Sequence, residues 1–302
     1  MISSTSSYIL NNQQYESLNK VSFGQTHNDA VPMSSLDSFE PETAKKIAKK
    51  RNKKLLCTLG GLTISALSLF VAMKIGKASQ VNKALQAIDA KFGDLCADIP
   101  KARKTLSEVF LRSDLTEKET LEILNRYKEI EKLGVTSSKE EYFQAIFNEA
   151  KHNYGLGLLP TEFRITDKPL MGNDKVLGFT DPLGGVSIRS FLSKSEGFNT
   201  IHHELRHLKQ KYYAFHYAPT EYVKASQPRN MEIPQEVFEH VFGTPVGKSG
   251  IPNFYIKFAE NSAESIANYC PVSTSSSGYF VQWAEKDAYK AGNDITRFFG
   301  IT

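Results

Sequence analysis

The chain has 302 residues, 40% of them hydrophobic and 23% charged, with a formal net charge of +4. Seven cations fall in one block from Lys45 to Lys54, and without them the balance is −3, so the basic character is local and excludes a nucleic-acid-binding face. Three cysteines with no CxxC exclude a structural zinc knuckle and a dithiol redox motif; Cys96 and Cys270 read as free thiols that an oxidising compartment could pair.

In chain order, residues 1–54 read as a disordered cytoplasmic tail, rich in Ser, Asn and Gln and closing on the basic cluster. Leu55 to Met73 follows, 19 residues without a charge. At about 1.5 Å per residue it nearly spans a hydrocarbon core of about 30 Å, which predicts a transmembrane signal anchor over 55–75. More Lys and Arg precede the run than follow it, so the N-terminus is expected in the cytoplasm and the rest of the chain across the membrane, with membrane lipid as a partner. If the run does not span, the basic block becomes a surface anchor on anionic lipid.

Residues 76–151 read as helices, either a spacer or an N-terminal lobe. Capping-box patterns at Thr116–Glu119 and Ser138–Glu141 start two of them. Residues 152–302 form the expected catalytic domain. Glu162 to Thr166 alternates as a short strand does, and Lys175–Thr180 and Gly185–Ser190 are β-prone runs joined by the turn Asp181-Pro182-Leu183-Gly184. Asn199 or Thr200 is the expected cap of the next helix. A short helix with Pro234 at N1 is expected to end at Gly243, another opens at Pro252 and ends at Pro271 after Cys270, and a last helix is predicted over about 280–298.

The chemistry lies in His202-His203-Glu204-Leu205-Arg206-His207, which read from His203 is H-E-x-x-H. Residues i and i+4 share a helix face, so His203 and His207 can bind one tetrahedral zinc, with Glu204 as general base. Ile201, Leu205, Leu208, Tyr212 and Phe215 make an apolar stripe, and both histidines fall almost opposite it. The bland alternative is a pair of solvated histidines on an ordinary amphipathic helix. His202 reads as a neighbour, not a ligand.

A catalytic zinc of this kind needs a third protein ligand. Gln210 and Tyr213 stand where a third-histidine subclass has Gly and His, which excludes that subclass. On the helix after Pro252, Glu260 and Glu264 share a side opposite Phe254, Phe258, Ile266 and Tyr269. A solvated helix face has the same pattern, and Glu236 with His240 is a rival ligand pair.

The stretch Glu260-Asn261-Ser262-Ala263-Glu264-Ser265-Ile266-Ala267, placed after H-E-x-x-H, resembles the E-x-x-A-D/E-x-x-A helix of the gluzincin metallopeptidases. The resemblance covers about 160–270 and departs from many members in having Glu, not Asp, at 264. It implies an α+β, zincin-like domain with a small sheet, Glu260 as third zinc ligand and Glu264 as support for a zinc-bound imidazole. It also implies a strand whose edge receives extended substrate, for which Gly185–Ser190 is the candidate.

The expected activity is hydrolysis of peptide bonds by a zinc-activated water, with Glu204 taking its proton and passing it to the leaving amine. Tyr212, Tyr213, His240 and Tyr255 are oxyanion-stabilising candidates by residue type only. The competing expectation is an inactive, membrane-tethered adaptor of the same fold. Substrate specificity is not legible in the motif.

Overall fold

Three capping boxes start three of the helices. Thr116, Ser138 and Ser193 each accept from the backbone N–H three residues on, and Glu119, Glu141 and Glu196 reach back to the cap N–H. A computed structural model of the protein describes residues 77–226, 233–269 and 276–301. Residues 77–87 fall in a unit of their own, and the second unit runs from Ile88 onward.

The elements run α1 (77–96), α2 (Ile99–Phe110), α3 (Glu117–Thr136), α4 (Lys139–Asn153), β1 (Phe163–Thr166), β2 (Gly178–Thr180), β3 (Val186–Arg189), α5 (Lys194–Tyr217), α6 (Pro219–Ser226), α7 (Gln235–Phe242), α8 (Asn253–Ala267), α9 (Ser276–Val281) and α10 (Trp283–Phe299). Of the described residues 68% are helical and 6% lie in strands. This overturns the expected α+β, zincin-like architecture. The β-prone runs yield strands of three or four residues, too short to form a layer, and the histidine helix is enclosed by other helices. The apolar run Leu55–Met73 lies outside the described residues; among those described, no helix is long and apolar enough to cross a membrane.

The small sheet has the order β1-β3-β2, with β1 parallel and β2 antiparallel to β3. Val186–Arg189 is therefore the central strand, with both edges already paired, and not the free edge expected of Gly185–Ser190. Asp181 Oδ1 accepts from Leu183 N (2.8 Å) and Gly185 N (2.9 Å), and Gly184 takes φ 87°, which closes the hairpin.

Helix α5 is the centre of the unit. It begins at Lys194, earlier than the expected cap at Asn199 or Thr200, because Ser193 and Glu196 form the stronger two-way cap. Gly197 does not stop it: a side chain there would run into the ring of Phe143, so its absence lets α5 lie against α4. Ile201, Leu205, Leu208 and Phe215 are fully buried and share one core with Phe92, Phe110, Leu124, Tyr127, Phe143 and Phe147 of the N-terminal helices.

Sixteen of the 24 residues of α5 are buried, so the opposite face is covered as well. Several polar residues of the helix are satisfied in place, although Nδ1 of His202, His203 and His216 has no hydrogen-bond partner among the described residues. Arg206 forks onto Asp287 (2.6 and 2.7 Å) and donates to Val109 O, while Lys209 donates to Tyr154 O. His202 is fully buried among Phe110, Tyr127, Tyr154 and Phe198, with Nε2 3.2 Å from Tyr127 Oη.

Candidate metal centre

Helical spacing brings His203 and His207 together on α5, with Nε2 of each 3.0 Å apart. Two ring nitrogens at that distance share a proton or an ion. The third partner comes from the start of α10: Glu285 Oε2 lies 3.4 Å from Nε2 of both histidines. Three ligands bound at about 2.0–2.1 Å in a tetrahedron lie about 3.3 Å from one another, so edges of 3.0, 3.4 and 3.4 Å fit a single ion. Glu285 is 2% exposed, and its Oε2 has no hydrogen-bond donor. A buried carboxylate oxygen without a donor is costly unless something positive sits against it. These three residues are the group among the described residues able to hold a metal ion.

The electrostatics of the protein alone point the same way. Burial disfavours the imidazolium of His207, but Glu285 outweighs it and the pKa stands at about 9. Burial likewise opposes ionisation of Glu285, and His207 and His203 overcome it, holding the carboxyl well below the usual range. The pair is a cation-and-carboxylate couple whose proton a metal ion would replace.

The surroundings orient these ligands. His207 Nδ1 lies 2.9 Å from Gln210 Oε1, which, as an acceptor, places the ring proton on Nδ1 and leaves the lone pair on Nε2. Gln210 Nε2 donates to Ala284 O (3.0 Å) and Asp287 Oδ2 (2.9 Å), which fixes the amide's orientation. Asp287 is the same carboxylate that Arg206 grips. Tyr279 hydrogen-bonds to Glu285 and lines the cleft, and the ring of Tyr289 lies edge-on to His203 at 4.5 Å.

Glu204, 5% exposed, lines the cleft, with Oε1 4.0 Å from His203 Nε2. It is held by Thr180 of β2, whose Oγ1 lies 2.8 Å from Glu204 Oε2 and 2.9 Å from its backbone O. β2 can come this close because residue 178 is glycine. A Cβ there would stand 2.5 Å from Thr200 Cγ2 and 2.7 Å from Glu204 Oε1. Met171, Val176, Phe179, Ile266, Tyr269 and Tyr279 supply much of the rest of the cleft wall.

The site brings His203, Glu204 and His207 together, but not Glu260 or Glu264. α8 buries Phe258, Ala259, Ser262 and Ala263, which leaves both acids on the outer face. Glu260 pairs there with Lys248 at 2.7 Å, and the side chain of Glu264 is exposed. Opposition to an apolar stripe, which suggested a metal-facing pair, is the signature of a solvated face. Glu236 and His240 are exposed on α7, and Tyr212, Tyr213, His240 and Tyr255 do not line the cleft.

Glu285 carried a signal in the sequence: it sits on the buried stripe of α10 with Ala288, Gly292, Ile295 and Phe299. An acid in an apolar stripe is a stronger pointer to a buried ligand than one opposite it. Compared with known proteins, the chain matches no protein-family model, no curated protein and no solved structure.

Proposed function

We propose that the protein is a zinc-dependent hydrolase of peptide bonds. One observation carries this reading: the donor-free oxygen of Glu285 meets Nε2 of His203 and His207 beside Glu204, in a cleft. Two imidazoles and a carboxylate with a neighbouring free acid suit a catalytic zinc better than a closed structural one, which takes four protein ligands. When bound there, zinc supplies a Lewis acid that makes water a nucleophile near neutral pH and polarises an amide carbonyl.

The chain's own residues do the rest. His203, His207 and Glu285 hold the ion, and Gln210 and Tyr279 hold the ligands. Glu204, pinned by Thr180, accepts the proton of the attacking water and delivers it to the leaving amine. The apolar cleft wall favours an extended chain with hydrophobic side chains over a small polar metabolite.

The run Leu55–Met73 behind seven cations supports attachment to a membrane, with the catalytic part opposite the cytoplasm. Protease accessibility in intact cells tests that placement.

The activity is tested with zinc-loaded full-length protein and its Glu204→Gln variant on a quenched-fluorescence peptide library. Wild type is expected to cleave, and the variant to keep its zinc and lose cleavage. Equal cleavage by the two, or none by either, would sink the reading and favour a tethered adaptor.

A further inference from the structure

Lys211 is an ammonium on the cleft without a counter-ion. It follows His207 by one turn of α5 and lines the cleft with Glu204, Glu285 and His207 itself, whose imidazolium is paired with Glu285. Its Nζ donates to the backbone carbonyls of Thr180 and Asp181. An ammonium has three donors, and among the described residues no further acceptor takes the third.

No described carboxylate lies within ion-pairing distance of it either. Asp181, whose backbone carbonyl accepts from Lys211, turns its Oδ1 into its own hairpin to accept from Leu183 N and Gly185 N. Burial outweighs the attraction of Asp181, Glu204 and Glu285 and lowers the pKa of Lys211 to about 8. A partly desolvated charge with an open donor gains from an anion that comes to it. A divalent ion on His203, His207 and Glu285 would offset the two carboxylates, leaving Lys211 as the net charge of the wall.

We propose that Lys211 recognises a carboxylate of the substrate, so that the cleft takes peptides bearing an acidic side chain or a free C-terminus near the cleaved bond. This rests on the peptidase reading for the kind of substrate, but the ion pair itself does not need turnover. Carbonyl anchoring on Thr180 and Asp181 holds the ammonium in one place, and the same strand end positions Glu204. The carboxylate would therefore be read at a fixed distance from the scissile bond.

The test is equilibrium binding to the zinc-loaded, full-length Glu204→Gln protein, followed by fluorescence anisotropy. One peptide series scans Gln against Glu along an acetylated, amidated sequence; a second compares free and amidated C-termini. The carboxylate member of a pair is expected to bind about tenfold or more tightly. Adding Lys211→Met should erase that ratio and Lys211→Arg should largely restore it.

The series in which the preference lies distinguishes a side-chain from a terminal carboxylate. Equal affinities in both series overturn the proposal without any Lys211 variant. So does a preference that survives Lys211→Met in a protein whose Tm matches its parent's. Cleavage by wild type in the same peptides separates the two claims. A carboxylate preference in binding with no cleavage leaves the Lys211 site standing and removes the peptidase; cleavage with no preference does the reverse.

Discussion

Gln210 Oε1 accepts from Nδ1 of His207 at 2.9 Å, and this one contact decides which nitrogen of the imidazole is free for metal. The amide cannot turn over, because Ala284 O and Asp287 hold its nitrogen. Gln210→Leu removes the acceptor and leaves the tautomer unspecified. Zinc affinity is expected to fall about 10–100-fold, measured by competition with a chromophoric chelator.

Glu285, not Glu260 or Glu264, is the third ligand that the geometry supports. Glu285→Gln should cost most of the bound zinc, while Glu260→Gln and Glu264→Gln should keep wild-type content after gel filtration. Elemental analysis of the three proteins side by side checks this. Zinc lost from Glu260→Gln and retained by Glu285→Gln would reverse the assignment.

Gly178 is required by close approach, since a methyl group there meets Thr200 and the carboxylate of Glu204. Gly178→Ala is expected to destabilise the fold by about 1–3 kcal/mol through overpacking. It should also lower kcat more than zinc content, because Glu204 moves while the ligands stay. Urea denaturation and metal analysis on one preparation separate these effects.

His202 is buried as a neutral ring, and burial lowers its pKa from 6.5 to about 3. The unfolded chain binds this proton first, so the stabilising contribution is complete above about 6.5 and declines as the pH falls through about 3. One proton corresponds to at most about 1.4 kcal/mol per pH unit. Chelator-treated wild type should therefore lose stability between pH 6.5 and 4 more steeply than His202→Leu. Parallel urea midpoints across that range would show that His202 does not contribute.

The H-E-x-x-H register was legible because a single helix places i and i+4 side by side whatever surrounds it. Thr116 and Ser138 announced their helices for a similar reason: a capping box closes within four residues. Glu285 was harder to find. It lies 78 residues beyond His207, and only the packing of α10 on α5 brings it to the histidines. Asp287 depends on the same packing, Tyr279 on the placement of α9, and Thr180 on a glycine two residues away.

From its sequence alone the chain determined the pairing of His203 with His207, the glutamate beside them and the helix starts at Thr116 and Ser138, since each is set by neighbours within one or two turns. Tertiary structure decided that Glu285 joins the two histidines, the order of the three strands and the exposure of Glu260 and Glu264. Those depend on which helix face finds a partner, and an amphipathic pattern records that a face is polar without recording whether water or another helix will cover it.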